Sequence, residues 1–208
     1  FLFVHLDNRK YGSYVRPQAP VLDYVMAALG GVGLAVVLNV LISLTGIAQS
    51  DPGLQSTNDA IQSTPKILAL LSVGGIVPLV EELVFRLLLY RRVRIFYGML
   101  PAMVASSVIF GIYHGNITQG IYATLLGLFL SYVFEKTRKS FIPVLVHMSA
   151  NIVVTLLSWV AEPMNGDITE VNFQNVLFGA GVLLFLITCL VFTVISVMYF
   201  IRKRAVEE

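Results

Sequence analysis

Two adjacent glutamates and an arginine stand inside a long apolar run, Val80-Glu81-Glu82-Leu83-Val84-Phe85-Arg86-Leu87. No charged residue lies between Ile67 and Val80, and Leu87, Leu88 and Leu89 follow the arginine. A charge at membrane depth costs roughly 2.5–3.5 kcal/mol on insertion scales, so three together demand partners and a purpose. On a helix, Glu82 and Arg86 share one face at a spacing of four, in the favourable order for an ion pair. Glu81 is rotated by about 100° from Glu82 and meets no cation on its own helix. It is the charge left over, and the leading candidate for chemistry.

Composition agrees with a membrane setting. The 208 residues are 57% hydrophobic and 12% charged, against about 25% charged in soluble domains, and the mean hydropathy is +0.81. Six apolar segments can be drawn at about 20 residues per span: Val21–Ile47, Ile67–Tyr90, Leu100–Tyr113, Ile121–Phe134, Phe141–Ala161 and Val176–Ile201. The third and fourth are short, with an uncharged link from His114 to Gly120, so that pair is expected to be re-entrant or sheltered by other helices. The predicted fold is an all-α polytopic membrane protein. It forms one domain over residues 1–208, with about six transmembrane helices and a motif core of about residues 67–161. Gly30, Gly31 and Gly33 in the first span, and Gly179 and Gly181 in the last, suit close helix packing.

Basic residues set the topology. Arg9, Lys10 and Arg16; Arg91, Arg92 and Arg94; Lys136, Arg138 and Lys139; and Arg202, Lys203 and Arg204 all fall on one side of the six-helix arrangement. The opposite loops carry Asp51, Asp59, Glu162, Asp167 and Glu170, with Lys66 at their edge. The positive-inside rule then puts both termini in the cytoplasm of a multi-pass protein of the cell membrane. The net charge of +2 forms no patch for nucleic acid, and none is expected as a partner. The chain starts at Phe1 with no initiator methionine and no legible signal peptide, the pattern of a trimmed chain. Cys189 is the only cysteine, which excludes an intramolecular disulfide and a structural cysteine site for zinc.

Few other polar residues lie in the apolar helices. His114 ends Phe110-Gly111-Ile112-Tyr113-His114, and His147 and Asn151 sit four apart on one face of the fifth span. His5 lies outside the spans. At 1.5 Å per residue, Glu81 is about 15 Å from the basic edge, His147 about 12 Å and His114 about 20 Å. One Glu, two His and one Asn from three helices can therefore meet in one buried pocket. Two chemistries fit. In the first, the imidazoles and a carboxylate (Glu81, His114, His147) hold a divalent metal, zinc by ligand type, with a position left for water. In the second, no metal is used: Glu81 with His114 takes a proton from water, while His147 with Asn151 stabilises an oxyanion. Cys189 has no basic neighbour nearby in sequence, and no serine stands in a nucleophile-elbow sequence. Phe85 and Phe110 read as packing residues lining the site, and Glu82 with Arg86 as a structural brace.

Glu81-Glu82-x-x-x-Arg86, Phe110-x-x-x-His114 and His147-x-x-x-Asn151, in that order on successive hydrophobic spans, resemble the three motifs of the CPBP family. Its members are the CAAX proteases and bacteriocin-processing enzymes, also called the Abi family. The resemblance covers about Pro78 to Asn151 and includes Pro78 and Phe85; Leu87 stands where many members have glycine. It implies an intramembrane endopeptidase acting on a membrane-associated protein or peptide in the lipid bilayer. Glu81 would be the activating carboxylate with His114 its partner. His147 and Asn151 would stabilise the oxyanion or, in the metalloprotease view, His147 would help hold the metal. Glu82 and Arg86 would brace the site. The competing classes are a non-catalytic bacteriocin-immunity or scaffold protein on the same fold, and a proton-coupled transporter, against which the absence of an internal repeat counts. The two shallower depth estimates place the cavity mouth at the cytoplasmic side.

Overall fold

The computed structural model describes residues 19–161 and 173–203. His5, Arg9, Lys10, Arg16, Glu162, Asp167, Glu170 and Arg204, read above from sequence, lie outside the described residues. The chain is a polytopic membrane protein, and no strand occurs among the described residues. Its helices are α1 (Val21–Leu44), α2 (Pro52–Ser63), α3 (Lys66–Tyr97), α4 (Met99–Tyr113), α5 (Ile117–Thr137), α6 (Phe141–Ala161) and α7 (Phe173–Arg202). The α1, α3, α5, α6 and α7 helices are long and apolar enough to cross a membrane. With 15 residues, α4 reaches about 22 Å, short of a hydrocarbon core of about 30 Å. It is sheltered by packing along α5, as the short third span led one to expect, while α5 itself is long enough to cross.

In the bundle, α1 lies between α6 and α7. Close approach accounts for its glycines: a Cβ at Gly31 would stand 2.3 Å from the Val146 carbonyl oxygen, and one at Gly33 would stand 2.4 Å from that of Cys189. Gly179 and Gly181 correct the sequence reading, because nothing lies within 4 Å of a Cβ at either position. That stretch of α7 faces outward with Val182, Leu183 and Leu184 exposed, as expected of a lipid-facing helix.

The basic end is less one-sided than the charge count implied. Near the C-terminus of α5, Glu135 accepts hydrogen bonds from Tyr90, Arg94 and Arg138. Asp23, in the first turn of α1, pairs with Lys203 and accepts a hydrogen bond from Tyr199 on α7. These buried carboxylates tie helix ends together where sequence spacing alone showed only cations. At the far end, the Lys66 ammonium lies 5.5 Å from the centre of the Trp159 ring, a cation–π contact that suits a lone cation there.

The amphipathic α2, within a loop in the six-span reading, lies at that far end. Asp51 caps it, accepting from the backbone N–H groups of Gly53 and Leu54, and Pro52 follows at the first helical position, where its missing N–H costs nothing. The other Asp51 oxygen accepts from the Thr118 N–H at 2.8 Å, in the first turn of α5. One carboxylate thus bridges two helix N-termini, the ends that favour negative charge. The bond from Thr118 above all, then those from Leu54 and Gly53, holds the Asp51 carboxyl below its ordinary value of 3.8.

Because that group is depressed on folding, its contribution is complete above pH 3.8 and is lost as pH falls through the lower folded value. Anchoring of α2, followed by amide exchange at Thr118, is expected to hold from neutral pH down to that point and to weaken below it. Asp51→Asn keeps a capping oxygen but loses the second acceptor. Exchange at Thr118 should then quicken at neutral pH while Gly53 and Leu54 change less.

Candidate active site

The centre of α3 departs from α-helical winding. Residues Ser72–Ile76 and Leu83–Tyr90 are wound as wider π-helical turns on either side of Val77–Glu82, a device frequent at functional sites. Pro78 explains the first of them. The Val77 N–H bonds five residues back, to the Ser72 carbonyl. In that register the next donor would serve Val73, but Pro78 has no N–H to give. The Val73 carbonyl is met instead from another helix, by the Asn151 side-chain amide of α6 at 2.9 Å. Asn151 therefore fastens α6 to the wide turn that precedes Pro78 and the glutamate pair, and one of its amide hydrogens remains unused by that bond.

Glu82 and Arg86 form the expected ion pair, 2.9 Å apart and almost fully buried. Arg86 also donates to the Gly127 carbonyl of α5 at 3.2 Å, and its guanidinium lies 4.6 Å from the centre of the Phe110 ring of α4. The same Glu82 oxygen lies 2.9 Å from His147 Nδ1 on α6. A carboxylate held by Arg86 can only accept, so His147 Nδ1 carries the proton. Phe110 is the apolar hub, with ring centres 4.8 Å from His114, 5.5 Å from His147 and 4.9 Å from Phe85. Gly127 went unnoticed in the sequence: a backbone carbonyl leaves no signature in residue type.

The other face of His147 decides the chemistry available. Its Nε2 lies 3.6 Å from Glu81 Oε2. With Nδ1 already protonated, a neutral imidazole would aim a lone pair at a carboxylate. The two groups are compatible when one further proton resides between them, on His147 Nε2 or on Glu81. With that proton on His147, the four charges of Glu81, Glu82, Arg86 and His147 sum to zero, which suits a membrane interior.

His114 is the C-cap residue of α4, where Gly115 ends the helix at φ +73°, a left-handed conformation that glycine adopts without strain. Its Nδ1 lies 2.8 Å from the Phe110 carbonyl, an acceptor only, so Nδ1–H donates and the neutral ring keeps a lone pair on Nε2. Glu81, His114 and Asn151 line one cavity of about 670 Å³. The pairing of Glu81 with His114 expected from sequence takes the form of this shared wall, and the imidazole in salt-bridge range of Glu81 is His147. Among the described residues no group of three or more His, Cys, Asp or Glu side chains is set to hold a metal, so Glu81, His114 and His147 are not gathered as a zinc ligand set.

The cavity also corrects the expected side of access. Its walls are Asn39 and Ser43 near the end of α1, the α2 helix, and the far-end portions of α3, α5 and α6. It extends from Glu81 away from the basic end, whereas the depth estimates measured distance alone and carried no information about which direction was open.

Removing one member of the buried ion pair strands the other. Arg86→Ala or Glu82→Gln is expected to lose about 3–5 kcal/mol of stability, read as a large fall in the unfolding temperature in detergent. Glu81→Gln removes only the longer contact and should leave that temperature nearly unchanged. Asn151→Leu and Asn151→Asp should each cost about 1–3 kcal/mol, since neither can donate to the Val73 carbonyl.

Residues 63–153 match the family model of the type II CAAX prenyl endopeptidase Rce1-like proteins. The chain is also 27% identical over 143 residues to YdiL of Bacillus subtilis (strain 168), a protein provisionally named a membrane peptidase; the match covers 67% of this chain and 55% of that relative. The chain thus spans about half the length of the curated relative it matches. No solved structure matches. All three motifs, from Glu81 to Asn151, fall within the matched segment, and both findings support the likeness to the CPBP, or CAAX-protease, family that these motifs carry.

Proposed function

We propose that this chain is an intramembrane endopeptidase that hydrolyses a peptide bond in a membrane-associated protein or peptide, with water as the nucleophile. The observation that carries the reading is Glu81, which lines a cavity with His114 and Asn151 and lies 3.6 Å from the buried His147. With the shared proton on His147, Glu81 is an ionised base facing the cavity. It removes one proton from a water molecule, and the His114 Nε2 lone pair orients that water by accepting its other hydrogen. The oxygen adds to the substrate carbonyl carbon. The resulting oxyanion is met by His147 Nε2–H and by the spare Asn151 N–H. As the intermediate collapses and the C–N bond breaks, the proton held on Glu81 passes to the departing amine, which returns the site to its starting charge.

Glu82 and Arg86 take no proton in this scheme. They hold His147 in the tautomer that aims Nε2 at Glu81, as a buried carboxylate does for a catalytic histidine. By the positive-inside rule, the helix ends bearing Arg91, Arg94, Lys136, Arg138 and Arg202 face the cytoplasm of the cell membrane, which also puts both termini there.

The test is terminal-peptide proteomics on membranes from cells expressing the wild-type chain, Glu81→Ala or His114→Ala at matched levels. New peptide termini should appear with wild type and be reduced at least about 100-fold in either variant, the scale of a lost acid–base group. Profiles identical in wild type and Glu81→Ala would instead favour a binding or immunity role on the same fold.

A further inference from the structure

Resting on the endopeptidase reading, we propose that Tyr122 of α5 is a further substrate-contacting residue, whose phenol O–H donates to a backbone carbonyl of the peptide held beside Glu81. Tyr122 lines the same cavity as Glu81, His114 and Asn151. Its ring packs against the hydrophobic core, while its hydroxyl is buried and has no hydrogen-bond partner among the described residues. The other groups of the site are fastened: His114 to the Phe110 carbonyl, His147 to Glu82 and Asn151 to the Val73 carbonyl. A second unpaired hydroxyl of this wall, Thr118 Oγ1, stands beside the Asp51 carboxylate, an acceptor within its reach. Tyr122 is the donor left over.

Helix register puts that donor at the depth of the base. Both α3 and α5 run from the far end of the bundle toward the basic end, and the Arg86 bond to the Gly127 carbonyl sets one against the other. Glu81 precedes Arg86 by as many residues as Tyr122 precedes Gly127, about 7.5 Å of rise on each helix. Glu81 and Tyr122 are therefore nearly level. The antiparallel α4 agrees, since a Cβ at Gly111 would stand 2.5 Å from the Gly120 carbonyl oxygen. His114, just beyond Gly111, ends its helix beside the opening turns of α5.

A peptide drawn to this depth leaves water behind, and each of its carbonyl groups then needs a donor. In the reaction proposed above, the attacked carbonyl is met by His147 Nε2–H and the spare Asn151 N–H, both from α6. The carbonyl groups on either side of the cut are left to other walls. The Tyr122 O–H supplies one bond from α5, and a turn about its χ angles brings it to an acceptor in the cavity. It transfers no proton. The bond is made equally in the bound peptide and in the transition state, so its loss weakens binding and leaves the chemical step alone.

Two measurements test this. The first takes a synthetic peptide spanning one of the Glu81-dependent cuts described above and compares wild type with Tyr122→Phe, which keeps the ring. KM should rise about fivefold, the scale of one neutral hydrogen bond, with kcat within about twofold. The unfolding temperature in detergent should hold or rise, because the hydroxyl bonds to nothing in the protein. An unchanged KM would overturn the proposal while leaving the endopeptidase intact. So would a fall in unfolding temperature, which would make the hydroxyl a structural group. An absence of Glu81-dependent termini would remove both. The second measurement reads binding without cleavage, comparing Glu81→Gln with the Glu81→Gln, Tyr122→Phe pair on the same peptide. Affinity should fall by a similar factor. Single thioamides, poorer acceptors, placed in turn beside the cut should weaken binding at one position in the first protein and not in the second. Equal affinities, or thioamide effects common to both proteins at every position, would show that Tyr122 holds no carbonyl.

Discussion

A guanidinium buried at membrane depth must have its charge answered, and Arg86 draws three other helices around α3. Glu82 supplies the countercharge from one turn away, Gly127 on α5 a carbonyl, and Phe110 on α4 the face of its ring. Glu82 then extends the network to α6 through His147. What appears in the sequence as an i,i+4 pair is thus the point at which the membrane-spanning helices are registered against one another. An ion pair of this kind offers little net stability compared with apolar packing. What it supplies here is position: it fixes which nitrogen of His147 carries a proton and therefore what can stand opposite Glu81.

A second constraint operates one turn earlier. Pro78 cannot donate a hydrogen bond, and the wide turn before it leaves the Val73 carbonyl to be satisfied from outside the helix. Asn151 satisfies it. Backbone accounting therefore places Asn151 beside the glutamate pair, independently of any part it takes in the reaction. Structural and chemical demands converge on the same residue, and loss of activity on its substitution reports both at once; the unfolding temperature separates them.

The site is a boundary between two regimes. On the basic side, Arg86, Glu82, His147 and Phe110 are packed and closed. On the other, Glu81, His114 and Asn151 face an uncharged cavity roofed by a lightly held helix. A base that must take a proton from water needs access on one side and a fixed partner on the other. The 100° rotation between consecutive helix residues provides both, since neighbouring glutamates point into the two regimes.

Much of this was legible in the sequence. The six apolar segments, the Glu82–Arg86 pair, the isolation of Glu81 from its own helix's cation and the gathering of both histidines with Asn151 follow from hydropathy, helical period and the cost of charge in lipid. Those are local or additive properties, which a one-dimensional string records. Sequence could not supply the partner that Glu81 faces, the acceptor role of the Gly127 carbonyl or the countercharges Asp23 and Glu135 among the basic helix ends. Nor could it supply the opening of the cavity toward α2 or the outward facing of Gly179 and Gly181. Each depends on which helix lies beside which and on their relative rotation. Backbone carbonyls and empty space belong to no residue type, so only the tertiary structure decides where they stand.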